Sequence, residues 1–268
     1  MPTISLTEAL RKEYENLFNA CVTRPEYIST VDSIVKILLE NKSRYQDVGS
    51  KSGIPWYFIA VIHNMEAGLS FTKHLHNGDP LKGRTVHFPP GRPLKGSPPF
   101  TWEVSAVDAL SMRKLSSRTD WSLAGTLYQL EGYNGFGYRI KHPYVLTPYL
   151  WSFSNHYKNG KFIADGTWSD TALSKQCGAA VLLRRMAEHG HIEFPDQPAP
   201  QQNTPPLVVS YSMHKSTEPL VVARVVELQL WLNTFPSIFV NPDGVPGKLT
   251  SEAYKKVTGV FLPGDPRG

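Results

Sequence analysis

Cysteine is scarce in this chain, which has two, Cys21 and Cys177, in 268 residues. They lie far apart, each in a segment that reads as helix, and neither has metal-ligand spacing. A disulfide-stapled scaffold and a cysteine-based zinc site are therefore excluded. A buried free thiol is expected for each, with one bridge between them as the alternative. Charged residues are also few, at 19%. No dense Lys/Arg run or known binding motif appears, which argues against nucleic acid as the partner. No apolar run is long enough to cross a bilayer. Residues 1–15 carry early acids and no apolar core of a leader, so no signal peptide is expected. The protein is then expected to be made in the cytoplasm and to reach any target outside it by another route. What the chain does have is 41% hydrophobic residues, enough for a real core. Its 28 basic and 23 acidic residues leave a net charge of +5, a mild positive balance that suits an anionic polymer such as a cell wall.

The most informative stretch runs from Ile54 to Phe71 and reads as a buried helix. Pro55 falls where a first turn tolerates proline. Phe58, Ile62, Met65 and Leu69 recur at helical spacing, with Ile59, His63, Glu66 and Ser70 on an adjoining stripe. Glu66 thus sits at the edge of the apolar face. Burial disfavours a charged carboxylate, so a raised pKa is expected, which is what a general acid needs near neutral pH.

Around this stretch the chain reads as mainly α. Helices are expected over 6–22, capped by Thr7, and over 28–41. The polar segment 42–53 reads as a connection. Residues 74–99, rich in proline and glycine, read as a long excursion over the cleft with a short strand at 84–88. Helices follow at 102–115 and 121–133, the latter capped by Asp120 or Thr119. A glycine-rich turn, Tyr133-Asn134-Gly135-Phe136-Gly137-Tyr138, ends it. Residues 157–168 read as a β-hairpin turning at Asn159-Gly160. Asp170 is expected to cap a helix running through Ala187. Residues 195–206, rich in Pro, Gln and Asn, read as a linker. Residues 207–268 then form a small module with helices near 221–232 and 250–257.

Two resemblances rest on these motifs. The segment Met65-Glu66-Ala67-Gly68-Leu69-Ser70-Phe71, followed some sixty residues later by the Tyr133-Asn134 turn, resembles the lysozyme-like superfamily. Lytic transglycosylases and goose-type lysozymes are its nearest branches. The likeness covers roughly the first two thirds of the chain and departs at Ala67, where that family usually has Ser. It implies a lysozyme-like catalytic domain over 1–194 that cleaves the peptidoglycan glycan, with Glu66 as general acid and no cofactor. Val226-Glu227-Leu228-Gln229-Leu230-Trp231, then Asp243-Gly244-Val245-Pro246-Gly247 and Thr250, resemble the small helical peptidoglycan-binding domain. That likeness implies a wall-binding module over 207–268, joined through the linker, in a protein expected to be monomeric.

Candidate residues follow from the same segments. Tyr133, Asn134 and Tyr138 suit a saccharide groove, where aromatic faces stack on sugar rings and polar tips meet hydroxyls. Asp79 and His76 are candidate substrate contacts from the excursion. Asp79, Glu103, Asp108 and Asp165 are the candidates for a second carboxylate. Arg139 and Lys141 are candidate partners of wall carboxylates, with a solvated basic rim as the alternative. Two other functional classes stay open. One is a binding protein without catalysis. The other is a zinc-dependent wall amidase or peptidase built on His74, His76 and Asp79, although no His-Glu-x-x-His helix accompanies them.

Overall fold

The computed structural model describes residues 4–118, 120–164, 166–195, 206 and 209–268. Thr119, Asp165 and most of the linker at 195–206 lie outside the described residues. Within them the chain is mainly helical, with eleven α-helices and one two-stranded antiparallel sheet.

The first helices pack by burying narrow stripes. Thr7 caps α1 (Glu8–Asn19) by accepting the Leu10 N–H, and Leu10, Tyr14 and Phe18 face inward. In α2 (Ile28–Glu40) the inward residues are Val31, Val35 and Leu38. The segment expected to be a connection is instead α3 (Lys42–Ser52). Only Tyr45, Val48 and Ser52 are buried there, so the apolar stripe is too thin for composition to reveal. Gly49 lets the chain pass close, since a Cβ there would meet the Ile54 carbonyl oxygen at 2.7 Å.

Helix α4 (Trp56–Ala67) is the axis of the domain. Pro55 precedes it as the N-cap, and Gly68, at φ 56°, stops it in the left-handed conformation. Every residue from Tyr57 to Asn64 is buried, so α4 is enclosed all round, not striped. Helices α3, α6 (Leu123–Asn134) and α9 (Ala179–Glu188) pack around it.

The excursion over 74–99 holds no strand at 84–88, because its backbone groups bond within the loop. Thr85 N–H donates to the Arg92 carbonyl at 2.8 Å and Gly91 N–H to the Thr85 carbonyl at 2.8 Å. Helix α5 (Trp102–Met112) starts at its cap Thr101. The cap of α6 is Ser122, not Asp120, whose carboxylate accepts from the Ser122 hydroxyl at 2.6 Å. Two short helices follow, α7 (Gly137–Lys141) and α8 (Pro148–Trp151).

The hairpin pairs β1 (Lys161–Ala164) with β2 (Thr167–Ser169), placing Phe162 opposite Trp168. Asn159-Gly160 therefore precedes the first strand instead of joining the two, and Gly166, at φ 73°, stands just before β2. Residues 170–178 are irregular, so Asp170 caps no helix; its carboxylate accepts the Trp168 indole N–H at 2.7 Å. Helix α9 begins after Gly178, where a Cβ would come within 2.2 Å of the Leu150 carbonyl oxygen. Cys21 and Cys177 are both buried free thiols.

The last segment has its own apolar cluster. Val225, Leu228 and Leu232 of α10 (Pro219–Leu232) meet Ala253 and Tyr254 of α11 (Lys248–Thr258). Gln229 organises this unit from within. Its amide nitrogen donates to Asp243 Oδ1 at 3.0 Å, Val245 O at 3.0 Å and Thr250 Oγ1 at 3.1 Å, and its oxygen accepts Gly244 N–H at 2.9 Å. One buried amide thus ties α10, the Asp243-Gly244 turn and the first turn of α11 together.

Candidate active site

Glu66 lies in the last turn of α4, beside the Gly68 stop. The enclosed helix fixes its position, and the helix end brings it out to solvent. Protein still crowds the carboxyl. Burial raises its pKa, against the hydrogen bond from Tyr149 and the positive charge of Arg113, both of which lower it. The Tyr149 hydroxyl donates to Glu66 Oε1 at 2.9 Å. The Arg113 guanidinium lies 4.6 Å from the centre of the Tyr133 ring. Burial and the Glu66 charge push the pKa of Tyr133 and of Tyr149 up, so both hydroxyls stay protonated donors near neutral pH.

A cleft of about 470 Å³ adjoins this cluster. Asn134, Gly135, Gly137, Tyr138 and Lys141 form one wall, and Lys161, Phe162 and Ala164 of the hairpin form another. Tyr149, Ser174 and Gln176 also line it, so Tyr149 belongs to both the cleft and the Glu66 contact. Gln176 reaches the same helix end, donating to the Met65 carbonyl at 2.8 Å. The glycine-rich turn works as expected: Gly135, at φ 90°, ends α6 and turns the chain into α7. Asn134 is exposed on the cleft wall, while Tyr133 is buried behind Glu66. Tyr138 lines the cleft but is buried, with its ring edge-on to Phe162 and Trp168 and its hydroxyl accepting the Phe162 N–H at 3.3 Å, so it mainly supports the hairpin.

The excursion residues sit elsewhere. His76 Nε2 bonds Asp108 Oδ2 at 2.8 Å, and burial lowers the histidine's pKa. Asp79 is a loop pin. Its carboxylate meets His87 Nδ1 at 2.5 Å and accepts the N–H groups of Val86 at 2.8 Å and His87 at 3.0 Å. These bonds, the His87 ring first, hold its pKa well below the usual carboxylate range. Neither His76 nor Asp79 lines the cleft. Both ring nitrogens of His74 are taken, by Ser105 Oγ at 2.8 Å and the Gly83 carbonyl at 2.8 Å. Among the described residues no group of three or more His, Cys, Asp or Glu converges as a metal site.

The second-carboxylate candidates are likewise engaged away from Glu66. Glu103 pairs with Arg44 at 2.6 Å, and Asp108 with His76 and, at 3.5 Å, with Arg92. Asp165 lies outside the described residues. Arg139 is locked in an internal network. It grips buried Glu131 through two nitrogens at 3.1 and 2.9 Å and Glu13 at 2.8 Å, and Tyr14 donates to Glu131 at 2.5 Å. Lys141 and Lys161 are the cations left on the cleft wall.

Three residues of this cluster escape a reading of the sequence. Arg113 falls inside the helix expected over 102–115 and looks like one of its surface residues. Gln176 falls where a helix is expected over 170–187. Tyr149 is one aromatic among many, and nothing in its neighbours marks it. No family model, curated protein or solved structure matches this chain.

Proposed function

We propose that the chain is a peptidoglycan-cleaving glycosidase, with a lysozyme-like catalytic domain over 1–194 and a peptidoglycan-binding-like module over 207–268. The observation that carries this reading is Glu66. A carboxyl with a raised pKa stands at a helix end, held through one oxygen by Tyr149, beside a cleft lined by aromatic, amide and basic side chains.

With Oε1 fixed by Tyr149, Oε2 is free to carry the proton and face a glycosidic oxygen. Glu66 gives that proton to the leaving oxygen as the bond to the anomeric carbon breaks. The positive charge of Arg113 steadies the carboxylate that results. Of the described candidates for a second carboxylate, Glu103 is held by Arg44, Asp108 by His76 and Asp79 by His87, all away from the cleft. That favours attack by the sugar's own hydroxyl over attack by a base-activated water. The hydroxyl oxygen bonds the anomeric carbon, its proton passes to Glu66, and an anhydro ring closes with the acid restored. Asn134 and Tyr138 orient the sugar, and Lys141 and Lys161 suit the carboxylates of the wall's peptide stems.

Glu66→Gln keeps the shape and loses the proton. It is expected to lower wall lysis by roughly two to four orders of magnitude with the fold unchanged. Mass analysis of the wild-type digest is expected to find anhydro sugar ends. Lysis by the variant near the wild-type rate overturns the role of Glu66. Reducing muramic acid ends without anhydro sugar keep the glycosidase and overturn the ring closure.

A further inference from the structure

The excursion over 74–99 carries apolar side chains that nothing covers. Phe88 is 88% exposed, Val86 75% and Leu94 65%. Loops bearing single exposed apolar residues are common, and three on one loop mark a contact surface. This loop is also stiffened to present them. Asp79 receives the N–H groups of Val86 and His87, and Asn77 Nδ2 donates to the His87 carbonyl at 3.0 Å. Thr85 Oγ1 donates to the Pro89 carbonyl at 2.5 Å and accepts the Arg92 N–H at 2.9 Å. Phe88 therefore rides at the tip of a turn closed from both sides, and little ordering is left to be done when it enters an apolar medium.

The charges around the tip have one sign to spare. Lys82 and Lys95 are exposed on the same excursion, and Lys73 is exposed just before it. From Lys73 to Pro99 the chain has five cations, Lys73, Lys82, Arg84, Arg92 and Lys95, against one acid, Asp79, and the nearby acids Asp108 and Glu103 pair with Arg92 and Arg44. Leu94 and Pro93 face Val104 and Val107 of α5 across a hollow of about 560 Å³, whose rim also carries Lys51, Lys95, Glu103 and Asp108.

We propose that this loop docks on the surface of a bilayer containing anionic phospholipid, with Phe88, Val86 and Leu94 entering the interface and the lysines meeting lipid phosphates. Apolar side chains flanked by uncompensated lysines fit that boundary, where acyl chains and negative headgroups lie a few ångströms apart. The contact is peripheral, since no helix among the described residues is long and apolar enough to cross a membrane. It is independent of the cleft and of the reaction assigned to Glu66.

Sedimentation of the full chain with vesicles tests it. Vesicles mixing phosphatidylglycerol with phosphatidylcholine are expected to carry the protein down and to release it as salt rises. Pure phosphatidylcholine vesicles are expected to leave it in solution. Phe88→Ser should lower the partition about tenfold or more, and Lys82→Glu or Lys95→Glu about fivefold each. All three positions are exposed, so the variants keep the fold, which circular dichroism verifies. Failure of the wild type to sediment with the anionic vesicles overturns the proposal. So does a Phe88→Ser chain that sediments like the wild type, even if its wall lysis falls, because the loop would then serve the glycan and not the lipid.

Discussion

Tyr149 reaches Glu66 across 83 positions of sequence, and its hydroxyl opposes the burial that raises the carboxyl's pKa. Removing that hydroxyl leaves burial less opposed. In Tyr149→Phe the pKa of Glu66 therefore rises further, and the acid stays protonated to higher pH. The alkaline limb of a pH–rate profile for wall lysis is expected to move upward while the maximum rate falls, because Oε1 loses its anchor. An unmoved limb would mean that Glu66 does not set it. One turn earlier on the same helix, His63 has a different consequence. It is fully buried, with Nδ1 3.0 Å from the Tyr45 hydroxyl, and burial lowers its pKa to about 4. An unfolded histidine titrates near 6.5, so above that pH the residue costs nothing. As pH falls from about 6.5 toward 4, the unfolded chain takes up a proton that the folded chain refuses. Stability should fall over that window by up to about 3 kcal/mol and level off below it. Denaturant melts across the window test this, and His63→Gln should shrink the pH-dependent loss.

At the scale of elements, Ser122 shows how a cap is chosen. Its side chain accepts the Gly125 N–H at 3.1 Å, while Asp120 supports it from outside the helix and is itself held by Arg11 at 2.5 Å. Ser122→Ala is expected to cost about 1 kcal/mol, read as a lower denaturation midpoint with an unchanged slope. Asp120 and Ser122 both have capping side chains, and sequence alone gives no way to rank them. The same limit explains what was legible elsewhere. Helices whose buried stripe is made of large apolar residues, such as α1 and α2, and the Leu-Gln helix α10 stand out from residue spacing. Helix α3 hides because its buried face is only Tyr45, Val48 and Ser52. The hairpin is read from its Asn159-Gly160 signal, but Gly160, at φ 94°, leads into β1 and packs under the hairpin instead of joining its strands. A Cβ there would meet the Trp168 ring at 3.0 Å. Glu66 and its neighbours in the glycine-rich turn are legible because local backbone needs mark them. Tyr149, Arg113 and Gln176 are not, because only tertiary packing brings them to the end of α4.

Across the whole molecule, the C-terminal unit has its own core yet is not merely tethered. Phe239 leaves that unit and packs edge-on against Phe18, with ring centres 5.6 Å apart, and against Phe194 at 6.2 Å. Arg184 of α9 is 1% exposed and donates to the carbonyls of Phe18, at 3.0 Å, and of Val240. Asn233 closes the seam, donating to the Asn19 carbonyl at 3.0 Å and the Val240 carbonyl at 2.9 Å. A chain ended at Pro195 loses the Phe239 ring from this aromatic cluster and strips a buried guanidinium of an acceptor. Both losses act on the domain that carries Glu66. The shortened chain is expected to melt below the full one, even though no part of the cleft has been removed. Phe239→Ala isolates the packing part of that loss, at about 3–5 kcal/mol if the seam cannot close around the cavity. Thermal melts of the two proteins beside the full chain decide the matter. Equal melting temperatures for all three would mean that the two cores are energetically independent and joined only through the linker. A drop in both would mean that the module helps to hold the domain that carries Glu66 together, so that changes at the seam act through stability while a pH profile assigned to Glu66 is expected to stay where it was.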